Sequence, residues 1–281
     1  MNTPLEYSSW DVRPTSAAGF IRVCKEASDD PSAFAQFRKQ PWMINATAGI
    51  PEVMENRIWH QLNSVCNEWF ESNRKAIKQC DAVGGPRQNE QHGMLSPEMI
   101  RYAYRAFCLT SVFGSMNGLN VVEIGGGFGA LAAVLCMTEN IASYTIVDLP
   151  AVLRLQRKYL EEVGVSTECL FVATEQVADY IWKPDLVISD CALSELTDET
   201  RDLYAEHIIA SSPCGSMKFN SSRRTMPPVP LIEWLATVIP HAIHRGNYFD
   251  VLVAPEDRNL SAKKRQEKYP DITVGVFWGA P

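Results

Sequence analysis

A cluster of glycines behind a short apolar stretch constrains this chain more than any other feature. Val121-Val122-Glu123-Ile124-Gly125-Gly126-Gly127-Phe128-Gly129 reads as a strand that turns sharply into a helix. Each glycine costs conformational entropy. Four of them within residues 125–129 fit a backbone that adopts positive φ or approaches a ligand closely. The helix start that follows carries N–H groups with no intrahelical partner, which suit the polar parts of a bound molecule.

The downstream residues extend the pattern. Strands are predicted at 120–124, 143–147, 169–173, 185–189, 216–219, 249–254 and 272–278, with helices at 130–137, 151–163 and 197–211. Strands alternating with helices of this length predict an α/β fold with a Rossmann-like, seven-stranded parallel sheet covered on both faces.

Upstream, residues 1–118 show helical periodicity and no convincing strand. Ile58, Leu62, Val65, Cys66, Trp69 and Phe70 fall on one helical face. Ser96-Pro97-Glu98 has the marks of a helix start: a capping hydroxyl, a proline at the first position and an acid in the first turn. Residues 81–94 contain Gly84-Gly85-Pro86 and read as a loop. The first fifty residues predict two short helices and a loop around Gln40-Pro41-Trp42. The chain therefore divides into a helical N-terminal cap, 1–118, and a sheet domain, 119–281.

Composition narrows the classes of partner. The 281 residues are 46% hydrophobic and 21% charged, which suits a globular chain with a sizeable core. A net charge of -7 gives no general attraction to phosphate backbones or anionic lipid, so neither nucleic acid nor membrane is expected as a partner. Met1 to Trp10 lacks the apolar run of a signal peptide. The eight cysteines are scattered without a C-x-x-C spacing, as expected of reduced thiols in a cytoplasmic protein with no metal site. His241 and His244 form an H-x-x-H pair with no third ligand at a recognisable spacing.

Two cofactors compete for the glycine loop. A dinucleotide fingerprint can be laid over Gly125, Gly127 and Ala130, which keeps an NAD(P)-dependent oxidoreductase open. The pattern E-x-G-x-G-x-G instead suits S-adenosyl-L-methionine. Glu123 would meet that cofactor's cationic aminopropyl and sulfonium end, whereas beside a pyrophosphate it would be repulsive. Asp148 ends the second strand, where a carboxylate can accept both ribose hydroxyls of either cofactor. Asp190, Ser194 and Glu195 leave the carboxyl end of the fourth strand, where the reactive end of a cofactor would lie.

The stretches EIGGGFGALAAVL, IVDLPAVLRLQRKYL and DLVISDCALSEL resemble a bacterial sugar O-methyltransferase family within the class I S-adenosylmethionine-dependent methyltransferases. The resemblance covers roughly residues 90–220. It implies that Glu123, Gly125, Gly127 and Asp148 bind the cofactor; Gly126, Phe128, Leu149, Thr174 and Asp190 are expected beside them. It implies that Asp190, Ser194 and Glu195 line the methyl-transfer site. The chain departs from the family at Asp190-Cys191-Ala192-Leu193, where an asparagine–aromatic–alanine–aromatic run is usual, and at Met217-Lys218-Phe219-Asn220.

The expected reaction is transfer of a methyl group to a hydroxyl of a small sugar or natural-product acceptor. Transfer to a nitrogen or a carboxylate is the nearest alternative. A hydroxyl acceptor needs a positioned base, for which Glu195, Asp190 and His92 are the candidates. Arg223 and Arg224 could hold an anionic group of the acceptor. The helical cap would select the acceptor, and caps of this kind pair readily, so a homodimer is expected.

Overall fold

The computed structural model describes residues 14–47, 52–219, 228–239 and 274–279. Six helices precede the sheet: α1 (Pro14–Asp29), α2 (Pro31–Phe34), α3 (Pro41–Thr47), α4 (Glu52–Asn63), α5 (Asn67–Asp81) and α6 (Pro97–Phe113). Helix α1 runs for 16 residues where only short helices were expected. Pro41 opens a helix instead of a loop, because the first helical position requires no N–H donor. The single face predicted from Ile58 to Phe70 is broken between α4 and α5, and Val65, at 72% exposure, points away from the core. Asn63 Nδ2 and Ser64 Oγ donate to the carbonyls of Trp59 and His60, giving the end of α4 local partners. Helix α6 begins as predicted, with Ser96 Oγ accepting from Met99 N.

The sheet follows as β1 (Asn120–Ile124), α7 (Ala130–Thr138), β2 (Ser143–Asp148), α8 (Pro150–Val163), β3 (Glu168–Ala173), β4 (Leu186–Asp190), α9 (Asp198–Tyr204), β5 (Cys214–Phe219), α10 (Pro228–Val238) and β6 (Val274–Trp278). Its order is β3-β2-β1-β4-β5-β6. It has six strands, not the expected seven, among the described residues; the strand predicted at 249–254 lies outside them. The first five strands are parallel and β6 is antiparallel to β5, which corrects the wholly parallel expectation. Gly215 makes room for this return: a Cβ there would lie 2.0 Å from the Trp278 ring that pairs across it. The helix predicted over 197–211 changes to a π-helical turn at Ala205–Ile209.

Strand alternation gives the sheet two apolar faces. Val121, Tyr144, Ile146, Leu186 and Ile188 pack with α7, α8 and the N-terminal helices. Val122, Ile124, Val147, Val187 and Met217 pack with Tyr204, Ile208, Ile209, Leu231 and Leu235. The first cluster continues without a break into Val23, Phe37, Ile58, Phe70 and Ile77, so the helical region and the sheet share one core.

Phe128 is the join. Its fully buried ring meets Phe37, Tyr102 and Tyr159 edge-on at centroid distances of 5.5, 6.0 and 5.0 Å. Such pairs add about 0.5–1.5 kcal/mol each beyond burial. The Arg38 guanidinium lies 5.1 Å from the same ring. Arg38 is itself buried and donates to Glu98 Oε1 at 2.9 Å, Asp81 Oδ1 at 2.7 Å and Ser96 Oγ at 2.6 Å. A buried cation with two carboxylate partners satisfies the electrostatic demand of the interior only while all three members remain.

Candidate functional site

The strand order reverses at β1, whose neighbours are β2 and β4. In open α/β sheets a crevice opens at this point, outside the carboxyl ends of the strands. Register places Glu123, Asp148, Asp190 and Lys218 near those ends and on one face: Glu123 pairs with Ile146 and Ile188, and Asp190 with Lys218. The glycine loop and α6 cover that face.

Two glycines of the loop have distinct physical requirements. Gly125 has φ +76°, and a Cβ on it would lie 2.2 Å from the Cβ of Ala192, so the turn after β4 rests directly on it. Gly127 has φ +57°, and the nearest atoms to a Cβ there are Tyr102 Oη at 3.5 Å and Thr47 Cγ2 at 3.8 Å. The loop is thus closed on its β4 side and flanked by α3 and α6 on the other. Phe128, expected at the cofactor, has its ring turned into the core; only its backbone is left for a ligand.

Glu123 lies beneath the loop. It is buried and accepts from Tyr144 Oη at 3.0 Å. Burial, with Asp190 and Asp148 as negative neighbours, pushes its carboxyl up to about 8, against the opposing pull of the Tyr144 hydrogen bond and Arg105. Asp148 is pushed up to about 6 by burial, although Leu149 N donates to Oδ1 and Gln156 Nε2 to Oδ2. Leu149 therefore acts through its backbone at the start of α8. Thr174, just after β3, bonds Tyr204 Oη at 2.8 Å and is buried.

Asp190 is gripped by Arg105, with Nε at 3.0 Å and Nη2 at 2.7 Å from Oδ1, and Lys218 Nζ stands 3.8 Å from Oδ2. Burial alone would raise the Asp190 carboxyl, but Arg105 and Lys218 outweigh it and hold it below its ordinary range. A carboxylate held in this way is a poor proton acceptor, which removes the geometric support for Asp190 as the base. Burial lowers the Lys218 ammonium despite Asp190. The next residue, Cys191, has φ +72°, an uncommon conformation for a side chain of its size, and turns the chain over Gly125. Ser194 Oγ donates to Cys191 O at 2.5 Å and closes this turn. Glu195 follows, half-buried, at the end of this turn.

His92 lies elsewhere. It is buried, tilted against Trp59, and bonded through its two ring nitrogens to Asn89 and Asn56. These partners all belong to the N-terminal helices and the loop before α6, which suits a packing role better than that of a base. Arg223, Arg224, His241 and His244 lie outside the described residues.

Sequence reasoning missed Arg101, Arg105, Gln156 and Lys218. Arg101 donates to the Thr47 carbonyl and lies 5.1 Å from the Tyr102 ring, so it ties α3 to α6 beside the loop. The available signals were a cation between Met217 and Phe219 in the short strand 216–219 and two arginines one turn apart on α6.

No protein-family model and no curated protein matches the chain. Solved structures do. The cyclopropane synthase MmaA2 from Mycobacterium tuberculosis is similar at 12% identity and a TM-score of 0.46, over 66% of this chain and 84% of that one. The methyltransferase domain of bacterial CtHen1 is similar at 12% identity and a TM-score of 0.45, over 62% of this chain and 96% of that one. The mitomycin 7-O-methyltransferase MmcR is similar at 16% identity and a TM-score of 0.36, over 76% of this chain and 51% of that one. Among the described residues, no helix is long and apolar enough to cross a membrane.

Proposed function

We propose that the chain is an S-adenosyl-L-methionine-dependent methyltransferase acting on a small molecule. The observation that carries this reading is the buried acid beneath the glycine loop. Burial and its acidic neighbours raise the Glu123 carboxyl to about 8, so a cationic group bound beside it would favour its ionised form, whereas a pyrophosphate would oppose it. The remaining groups suit the same cofactor. Asp148 can accept from a ribose diol, and the helix start after Gly129 presents N–H donors.

When bound, the cofactor would supply an electrophilic methyl group on a sulfonium. Glu123 and the loop would hold its amino-acid end, and Asp148 its ribose, with Leu149 and Thr174 alongside. The chain's own contribution is alignment of the acceptor and removal of its proton. Glu195 is the base this reading favours, because Asp190 is committed to Arg105 and His92 to Asn56 and Asn89. The acceptor oxygen would belong to a sugar or natural-product hydroxyl, with Ser194 near it. Transfer to a nitrogen or a carboxylate uses the same cofactor site. The N-terminal helices select the acceptor, as α3 and α6 flank the loop through Thr47 and Tyr102, and they are the surface through which two copies would pair.

Calorimetric titration tests the cofactor. S-adenosylhomocysteine is expected to bind at micromolar concentration or below while NAD(H) and NADP(H) do not. Binding of a nicotinamide cofactor alone would overturn the reading.

A further inference from the structure

Gln156 occupies an unusual position. It lies on α8, is fully buried, and donates from one amide nitrogen to two acceptors at once: Gly127 O at 2.9 Å and Asp148 Oδ2 at 2.9 Å. Both hydrogens of that nitrogen are used, one on the glycine loop and one on the carboxylate that ends β2. The other end of the same amide, Oε1, is buried with no hydrogen-bond partner. A buried acceptor left unsatisfied is costly, and native structures keep few of them. The amide is therefore held in this orientation by what its nitrogen does.

We infer that Gln156 is a positioning residue of the cofactor site, a clasp that ties the Gly127 carbonyl to the Asp148 carboxylate and so fixes Asp148 as an acceptor for ribose hydroxyls. The inference rests on the reading of this crevice as a cofactor site. Its physical content is directional. An amide N–H can bond only to an acceptor, so the clasp favours ionised Asp148 and opposes the burial that would neutralise it. Leu149 N and Gly126 N also favour the charged form, but they are backbone groups that no side-chain change removes. The titratable neighbours are Glu123 on β1, Cys24 on α1 and Tyr204 on α9, each of which would oppose the Asp148 charge if ionised and none of which supplies a positive charge. Gln156 also lies 3.3 Å from where a Cβ on Gly126 would be, so loop, clasp and carboxylate are packed as one unit.

The test pairs Gln156→Leu, which removes both hydrogen bonds, with Gln156→Glu, which keeps the shape but replaces the donor by a second acid. S-adenosylhomocysteine affinity is measured by calorimetry from pH 5 to pH 8, and the Asp148 carboxyl is titrated by carbon NMR. Wild type is expected to lose affinity as pH falls through the Asp148 midpoint near 6. In both variants the midpoint is expected to rise by about one pH unit, with binding at pH 5 weakened roughly tenfold beyond any uniform loss. A merely structural role would weaken binding equally at every pH and leave the midpoint in place. Folded variants whose Asp148 midpoint equals that of wild type would overturn the inference while leaving the cofactor reading intact. Failure of wild type to bind S-adenosylhomocysteine at any pH would overturn the cofactor reading, and the inference with it.

Discussion

Arg105 reaches from α6 across 85 residues of sequence to close on Asp190, with Nε and Nη2 both on the carboxylate. Nη2 also donates to Ser216 Oγ at 3.1 Å, so one guanidinium joins α6 to the end of β4 and the middle of β5. This ion pair holds the crevice in shape. Removing one member leaves a buried charge whose desolvation is no longer offset. Arg105→Met is expected to lower unfolding stability by about 3–5 kcal/mol. Arg105→Lys keeps the charge without the fork and should lose less. Urea unfolding compares them, and a loss no greater for Met than for Lys would refute the role.

Glu123 makes stability depend on pH in a defined sense. Its folded value of about 8 lies above the ordinary 4.5, so the folded state holds a proton that the unfolded state has released. The contribution is fully present below 4.5 and is lost as pH rises through 8. Asp148 acts in the same sense but only up to about 6. Between pH 6 and 7.5 the stability of the ligand-free protein should therefore fall by up to about 1.4 kcal/mol per pH unit from Glu123. Glu123→Gln should flatten this slope in urea unfolding run across that range.

Gly125 is constrained by both contact and conformation. Its φ is +76°, and the Ala192 Cβ stands 2.2 Å from where a Cβ on Gly125 would lie. Gly125→Ala is expected to destabilise by about 1–3 kcal/mol and to weaken S-adenosylhomocysteine binding. Adding Ala192→Gly should restore part of the loss, since it relieves the contact but not the dihedral strain. Full restoration in thermal unfolding would show that contact alone mattered.

Glu195 separates binding from chemistry. Glu195→Gln is expected to leave S-adenosylhomocysteine affinity within about threefold while turnover falls by about 10²-fold or more, the usual weight of a general base. The check requires an active acceptor, found by screening hydroxylated sugars and phenols. Undiminished turnover would move the base elsewhere.

Arg38 binds the N-terminal helices together through Asp81, Glu98 and Ser96. Arg38→Ala is expected to cost about 3–5 kcal/mol, because two buried acids lose their common cation. The triple variant with Asp81→Asn and Glu98→Gln should recover a measurable part of the loss. Chemical denaturation of the single and triple variants decides it.

The sheet was legible because its signal is local. Residues 120–124 were bounded to the residue, and the glycines fixed where the first strand stops. Asp148 was readable as the last residue of its strand for the same reason. The N-terminal helices were less so. The pattern from Ile58 to Phe70 continued across Ser64 although the chain turned there, since the bonds that end α4 run to its own carbonyls and leave no mark on periodicity. Arg105 and Gln156 were illegible for another reason. Their partners Asp190 and Gly127 are distant in sequence, and only the folded chain brings them together.

Phe128 has a bearing on how such a chain could be divided. The ring that follows the glycine loop is seated by Phe37 and Tyr102 as well as by Tyr159. A fragment cut at residue 119 would carry the loop without two of the side chains that seat its neighbour. The sheet is therefore not a transferable cartridge. A chimera that exchanges the N-terminal helices between related chains must take Phe37, Tyr102 and Phe128 as one inherited set, or retune the loop to its new support.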